Sequence, residues 1–358
     1  VYTSAEDDNT NHGEDISASK PRSTAGEVYD QVIADLSYAE ANLPVTVTLA
    51  EQGRATSGAA KGLLAKTYLY QENWAAAKLK CEELMNSGNY SLVPNYADVF
   101  SSGQQWGSEV IWSINMVEDL DGHWGEHEGS WLSIWFGDRD MGWGYGFKCP
   151  TEDFIQAFEP TDTRLEASVV FDGEMIPGIF GGAPHDFTGG SWNPPTGYMS
   201  QKYLIPDNER PITADCNGNL DYIFMRYADL LLIHAEASME LQDEDAAKYS
   251  LELIRQRAGL SAYPDAATIN SYKETYLLNH EELRAVVYHE RRVELGLEHD
   301  RFYDLVRWGD ASTVFQNFDH LGLTFGKTNF VENCSELLPI PYYDIQSSNG
   351  LIEQNPCY

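Results

Sequence analysis

Two stretches of this chain repeat one another at a fixed distance, and that repeat limits the fold more than any other feature. Ala65, Ala77, Cys81 and Leu84 of GLLAKTYLYQENWAAAKLKCEELM match Ala235, Ala247, Leu251 and Ile254, each pair 170 positions apart. In helical-hairpin repeats a small residue on each helix lets the two axes approach closely, while larger positions face the next pair. One pair cannot bury its apolar face alone, so pairs must stack. The predicted fold class is therefore all-α: a tetratricopeptide-like superhelix of helical pairs, with long irregular loops and a few short strands. The stretch from Asp221 to Gly309 is dense in charge and holds no catalytic spacing, which marks it as scaffold.

Local signals place the elements. Residues 1–23 are polar, acidic and poor in large apolar side chains, the pattern of a flexible lead-in. Residues 24–358 then read as one domain, with a helical repeat at 56–88, a loop-rich region at 89–220, helical repeats at 221–309 and a tail at 310–358. Thr24 and Glu27 have capping-box spacing, and Val28, Val32, Leu36, Ala39 and Leu43 follow at steps of three and four until Pro44. Thr56 or Ser57 caps the next helix, Asn73 its partner, and Gly88 ends the pair. Asp221 is expected to cap a long helix to Leu241, Asp243 to start its partner, and Gly259 to close it. Asn279 and Glu282 suggest a further capped start for a helix to Leu295, and a short helix is expected from Arg301 to Trp308. Between 89 and 220 Gly, Pro, Trp and Asn crowd in, with short strands expected near Glu109 to Asn115 and a brief helix at Glu152 to Phe158. Long irregular stretches within a domain usually carry function.

Composition removes several functions. With 23 Lys and Arg against 56 Asp and Glu, the formal net charge of -33 repels nucleic-acid phosphate and anionic bilayers. No apolar run reaches membrane-spanning length. Cys81, Cys149, Cys216, Cys334 and Cys357 show no metal-type spacing. Cys81 sits at a packed helix position, and the other four allow up to two disulfides whose pairing the sequence leaves open.

The segments VYDQVIADLSYAEANLP, GRATSGAAKGLLAKTYLY, SEVI, PTEDFIQAFEPTDTR, RYADLLLIHAEA, IRQRAGL, ERRVELGLEHDRFYDLVRWG and LLPIPYYDI with QNPCY occur in this order. In them the chain resembles the SusD/RagB family of surface nutrient-binding lipoproteins. The resemblance implies an outward-facing outer-membrane protein that binds oligosaccharide or polysaccharide and hands it to a SusC-like TonB-dependent transporter. It implies no nucleic-acid partner and no cofactor. It also implies attachment to the membrane only through a lipid on an N-terminal part not present here, which carries further helices and part of the ligand site.

Six of the nine tryptophans fall between residues 106 and 143. A flat aromatic face meets the C–H face of a sugar while neighbouring polar groups take its hydroxyls. Trp106 and Trp112, flanking SEVIW, are expected in the core. Trp124, Trp131, Trp135 and Trp143 lie among Gly, His and charged residues and are the candidate glycan platforms, with Asp138, Arg139 and His127 as hydroxyl partners and Trp192 as an outlying platform. His289-Glu290 opens a zinc-protease pattern, but Val293 stands where the second histidine is required, so no metal site follows. The charges at Glu290, Arg291, Arg292, Glu294, Glu298, Arg301, Asp304 and Arg307 suit ion pairs joining helices, with Glu294 and Glu298, Arg301 and Asp304, and Asp304 and Arg307 three or four apart. Asp215, Asn217, Asn219 and Asp221 alternate as calcium ligands do, yet Leu220 and Arg226 occupy the glycine and closing-glutamate positions, so a turn is expected.

Three functions compete on this reading: a non-catalytic glycan binder, a peptide-binding or adaptor protein, and a glycoside hydrolase using carboxylates such as Glu126, Glu128 and Asp138. Hydrolysis needs two carboxyl groups about 5 to 9.5 Å apart across the bond, and no linear spacing shows such a pair.

Overall fold

The computed structural model describes residues 21–117, 129–137, 144–176, 178, 194, 196–206, 208–209, 218–275, 281–316, 330–348 and 350–358. Helix α1 spans Ala25–Asn42, and its Thr24 capping box is complete: the Thr24 hydroxyl accepts from the Glu27 N–H while the Glu27 carboxylate accepts from the Thr24 N–H. Helices α2 (Ser57–Tyr70) and α3 (Trp74–Met85) form the first pair, capped by Thr56 and Asn73. Strand β1 (Val110–Ile114) and the short helices α4 (Leu132–Phe136), α5 (Glu152–Ile155) and α6 (Arg164–Ser168) follow, then β2 (Val169–Val170), β3 (Met199–Ser200) and β4 (Tyr222–Arg226). The second pair is α7 (Tyr227–Glu240) with α8 (Glu244–Arg257), followed by α9 (Ala266–Thr275), α10 (Glu282–Leu295), α11 (Arg301–Arg307), α12 (Ala311–Gln316) and α13 (Tyr342–Ser347).

The repeat does what its spacing requires. Ala65, Ala77, Cys81, Ala235, Ala247, Leu251 and Ile254 are fully buried, and Leu84 is 2% exposed. Helix α7 packs against α2, α3, α8 and α10, which makes it the central rod of the array. Its residues from Tyr227 to Ser238 are buried on every side. Since the small residue is what permits this approach, Ala235→Leu is expected to cost about 1–3 kcal/mol through overpacking. A fall in the urea midpoint at unchanged m-value reads that cost; an unshifted midpoint would mean the axes have room to spare.

Several expectations change. The long helix begins at Tyr227, not at Asp221, and its N-cap Arg226 makes no side-chain cap. The preceding YIFMR buries Ile223 and Met225 and half-buries Tyr222 and Phe224, a period-two pattern that pairs antiparallel with β1. Asp221 instead accepts from the Met116 N–H at 2.9 Å. Helix α10 starts at Glu282 with Glu281 at the cap, so Glu282 is the first helical residue rather than the third. Asn279 lies outside the described residues. Helix α5 stops at Ile155, short of the expected Phe158. Trp106 and Trp112 are half-buried rather than core. The Trp112 ring meets Phe224 edge-on at 5.0 Å, and both line a groove of about 480 Å³ with Tyr29, Val32, Leu36 and Leu63. Cys334 and Cys357 form a disulfide, Cys81 is a buried thiol, and the half-buried Cys149 donates to the Gly146 carbonyl at 3.2 Å.

The charged cluster is a buried lattice, and its partners are mostly distant in sequence. Arg164 reaches Asp162, Glu290 and Glu294. Arg226 reaches Glu109 at 2.8 Å, Glu294 at 2.6 Å and Glu298 at 2.7 Å, while Arg257 holds Glu109 and Glu294. Arg291 joins Asp229 to Asp304, and Arg307 joins Asp304 to Glu236. Of the three local spacings expected, Asp304–Arg307 forms an ion pair at 2.8 Å, Arg301 lies 6.0 Å from the Trp308 ring, and Glu294 and Glu298, both acidic, share Arg226 rather than pairing with each other.

These contacts move pKa values. Burial would raise the carboxyls of Glu294 and Glu298, but the surrounding guanidinium groups outweigh it and hold both down, Glu298 to about 2 from an ordinary 4.5. Burial depresses Lys202 to about 8, although Glu298 pulls it upward. Because the folded-state pKa of Glu298 lies below its unfolded value, its contribution is complete above pH 4.5 and is lost as pH falls toward 2. The urea midpoint of the wild type is expected to drop through that window. Glu298→Gln should start lower at neutral pH and show a shallower drop; parallel profiles would exclude Glu298 as a source of acid sensitivity.

Candidate glycan-binding shelf

Helix α4 presents two faces because residues four apart share one side. Leu132 and Phe136 point inward, 7% and 3% exposed, and join a core with Tyr96, Phe100 and Tyr203. Trp131 and Trp135 share the neighbouring side. Their ring centroids lie 6.2 Å apart with planes inclined at 51°, and Trp135 is 43% exposed. The helix is anchored at its start by a bridge between Ser130 and Gly218, where the Ser130 N–H donates to the Gly218 carbonyl at 2.6 Å.

A second pair of rings joins them. The N–H groups of Tyr145, Gly146 and Phe147 donate to the carbonyls of Ile134, Gly137 and Trp135, each at 2.8 Å. This lays the segment along the end of α4. Gly146, between Tyr145 and Phe147, turns the chain at φ +67°, and the two rings stack at 6.0 Å with planes 14° apart. Phe147 is 53% exposed. Two inclined tryptophans beside two near-parallel rings make an exposed aromatic shelf on a rigid base. Such a surface offers apolar contact to pyranose faces without a pocket that would exclude a long chain.

Of the residues expected in the site, Trp131 and Trp135 come together as described. Trp124, His127, Asp138, Arg139, Trp143 and Trp192 lie outside the described residues, as do the carboxylates Glu126 and Glu128. Sequence reading missed Tyr145 and Phe147. No local pattern marks them, because Gly146 between them is left-handed at φ +67° and their pairing follows from the fold.

Elsewhere, ligand atoms of Glu159, His289 and Glu290 lie within 4.8 Å of one another. Arg255 is ion-paired to both carboxylates, and the His289 ring stacks on Tyr272 at 3.5 Å. A guanidinium already supplies the positive charge there, and it disfavours a metal cation. Among the described residues no helix is long and apolar enough to cross a membrane.

Comparison with known proteins agrees with this architecture. The SusD family model matches residues 108–358, and a model described as "Starch-binding associating with outer membrane" matches residues 1–69. A SusD-like protein P25 of Formosa agariphila is 27% identical over 369 residues, covering 93% of this chain and 64% of the relative. A SusD-like protein of Bacteroides ovatus is 26% identical, covering 81% of this chain and 52% of the relative. The chain thus spans about half to two thirds of the length of these curated relatives. Among solved structures, a laminarin binding SusD-like protein superposes with a TM-score of 0.75 at 27% identity, over 94% of this chain and 70% of that one. A SusD-like protein from Bacteroides fragilis gives 0.77 at 24% identity, over 94% of this chain and 72% of that one, and shows the shared fold. With its stacked helical pairs and this match over most of its length, the chain belongs to the SusD/RagB family.

Proposed function

We propose that this chain belongs to an outward-facing outer-membrane protein that binds oligosaccharide or polysaccharide without cleaving it and passes it to a SusC-like TonB-dependent transporter. The observation that carries the reading is the aromatic shelf of exposed Trp135 and Phe147 with half-buried Trp131 and Tyr145, on a helical scaffold whose buried charges are consumed in structural pairing. The laminarin-binding relative supports a glucan as the first ligand to try, and the outer-membrane description of the model matching residues 1–69 supports the location. The charge of -33 fits a neutral glycan better than an anionic one.

Calorimetry of the intact protein against laminarin oligosaccharides, malto-oligosaccharides and a uronic-acid polymer tests this reading. Saturable heat with a neutral glucan and no new reducing ends is the expected result. No heat with any neutral glycan would overturn binding, and release of reducing ends would overturn the non-catalytic part.

A further inference from the structure

The aromatic shelf is fastened to the scaffold at a point away from α4. Lys148 directly follows Phe147, and its backbone sits at φ +54°, in the left-handed region that side-chain-bearing residues adopt only when the surroundings hold them there. Its stem is exposed, but its ammonium turns back toward the protein. Nζ donates to the Glu298 carbonyl at 2.7 Å and to the Leu297 carbonyl at 3.4 Å, and it lies 4.6 Å from the centroid of the Phe136 ring. Charge-assisted donation and cation–π attraction thus act on one atom. Leu297, in the turn after α10, is also left-handed at φ +64°. A single side chain therefore joins two strained turns, the inward ring of α4 and the segment that carries Phe147.

The three backbone bonds between 145–147 and α4 fix the main chain of the segment, but they fix neither the Phe147 ring nor the segment's seat against the turn after α10. Tyr96 and Lys202 tie the core beneath α4 to the Glu294 and Gly296 carbonyls, and Lys148 adds the tie made by the segment itself. The contacts of Lys148 also aim the chain as it leaves Phe147, because the left-handed turn must be kept for the ammonium to reach both carbonyls.

We propose that Lys148 is a positioning residue for glycan recognition: by clamping the 145–147 segment to the turn after α10 and to the Phe136 ring, it holds the Phe147 ring in place on the shelf. The proposal rests on the glycan-binding reading of the shelf. The ammonium makes no contact with ligand in this role, so its effect is on the order of the rings.

Lys148→Met and Lys148→Arg, each in the intact protein, test it with two readouts. The first is affinity for laminarin oligosaccharides by calorimetry, beside the melting temperature. The second is the fluorine NMR line of 4-fluorophenylalanine placed at position 147. The methionine variant is expected to lose affinity at least fivefold with little change in melting temperature, and its fluorine line should broaden or split. The arginine variant, which keeps a charged donor, should stay within about twofold of wild type and keep one narrow line. Wild-type affinity and an unchanged line in Lys148→Met would overturn the proposal, as would equal losses in both variants accompanied by lower melting temperatures. If the wild type binds no glycan, the functional reading fails, and the fluorine line alone still decides whether Lys148 orders Phe147.

Discussion

Arg226→Met is expected to lower the free energy of unfolding by about 3–5 kcal/mol, the usual cost of removing one partner from a buried ion pair. Arg226 is 1% exposed and serves Glu109, Glu294 and Glu298 together, while its Nη2 also donates to the Glu294 carbonyl at 2.8 Å. Arg257 continues to hold Glu109 and Glu294, and Lys202 continues to hold Glu298 at 3.0 Å. The loss therefore falls on Glu109 and Glu298, which keep one cation each, and on Glu294, which keeps Arg164 and Arg257 of its three. Methionine fills much of the volume, so the penalty is electrostatic rather than a cavity. The exposed helical pair Lys248–Glu244 is the control, since Lys248→Met should cost only a few tenths of a kcal/mol. Urea unfolding of both variants measures the contrast. Comparable small shifts would mean that the lattice is as weakly coupled as a surface pair. The prediction concerns breaking the lattice; replacing all its members with well-packed apolar residues is a different change that can be neutral or stabilising.

Trp135→Ala should weaken glycan binding by tenfold or more, about 1.4 kcal/mol per decade, while the melting temperature barely moves. The ring is 43% exposed and packs on Trp131 rather than into the core, so the folded protein loses little apolar burial when it is removed. A bound sugar, in contrast, loses the widest face of the shelf. Phe136→Ala, one residue away, gives the opposite pattern. Its ring is 3% exposed and packs near Tyr203, so truncation should cost about 3–5 kcal/mol of stability. Calorimetry paired with thermal melts separates the two. If Trp135→Ala melts several degrees lower and binds normally, the tryptophan is packing and the shelf is not a glycan surface.

How much of this was legible depends on the range of the interaction concerned. Helix starts set by Thr24, Thr56, Asn73 and Asp243 were readable because a cap is completed within three residues. The Asp221 cap was misread because an acidic residue before an apolar run also suits the edge of a strand. Only the presence of β1, more than a hundred residues earlier, turns Tyr222–Arg226 into β4. The charged cluster was recognised as structural, and local spacing found Asp304–Arg307 but none of the long-range partners. Glu294 and Glu298, four apart and both acidic, converge on Arg226 rather than on helical neighbours. In the shelf, Trp131 and Trp135 were visible through their residue type and their polar, glycine-rich surroundings. Phe147 was not, because its exposure depends on hydrogen bonds to α4 carbonyls.

By itself the sequence determined the stacked pairs: small residues at fixed spacing permit close helix approach, and apolar stripes that one pair cannot cover require a neighbour. Its ordered segments also determined the family. Only the tertiary structure decided which distant carboxylates each buried arginine serves, where a strand replaces a helix, and which aromatic rings face water. Those outcomes depend on pairings across many tens of residues, and nothing in local spacing encodes the direction in which a folded loop points.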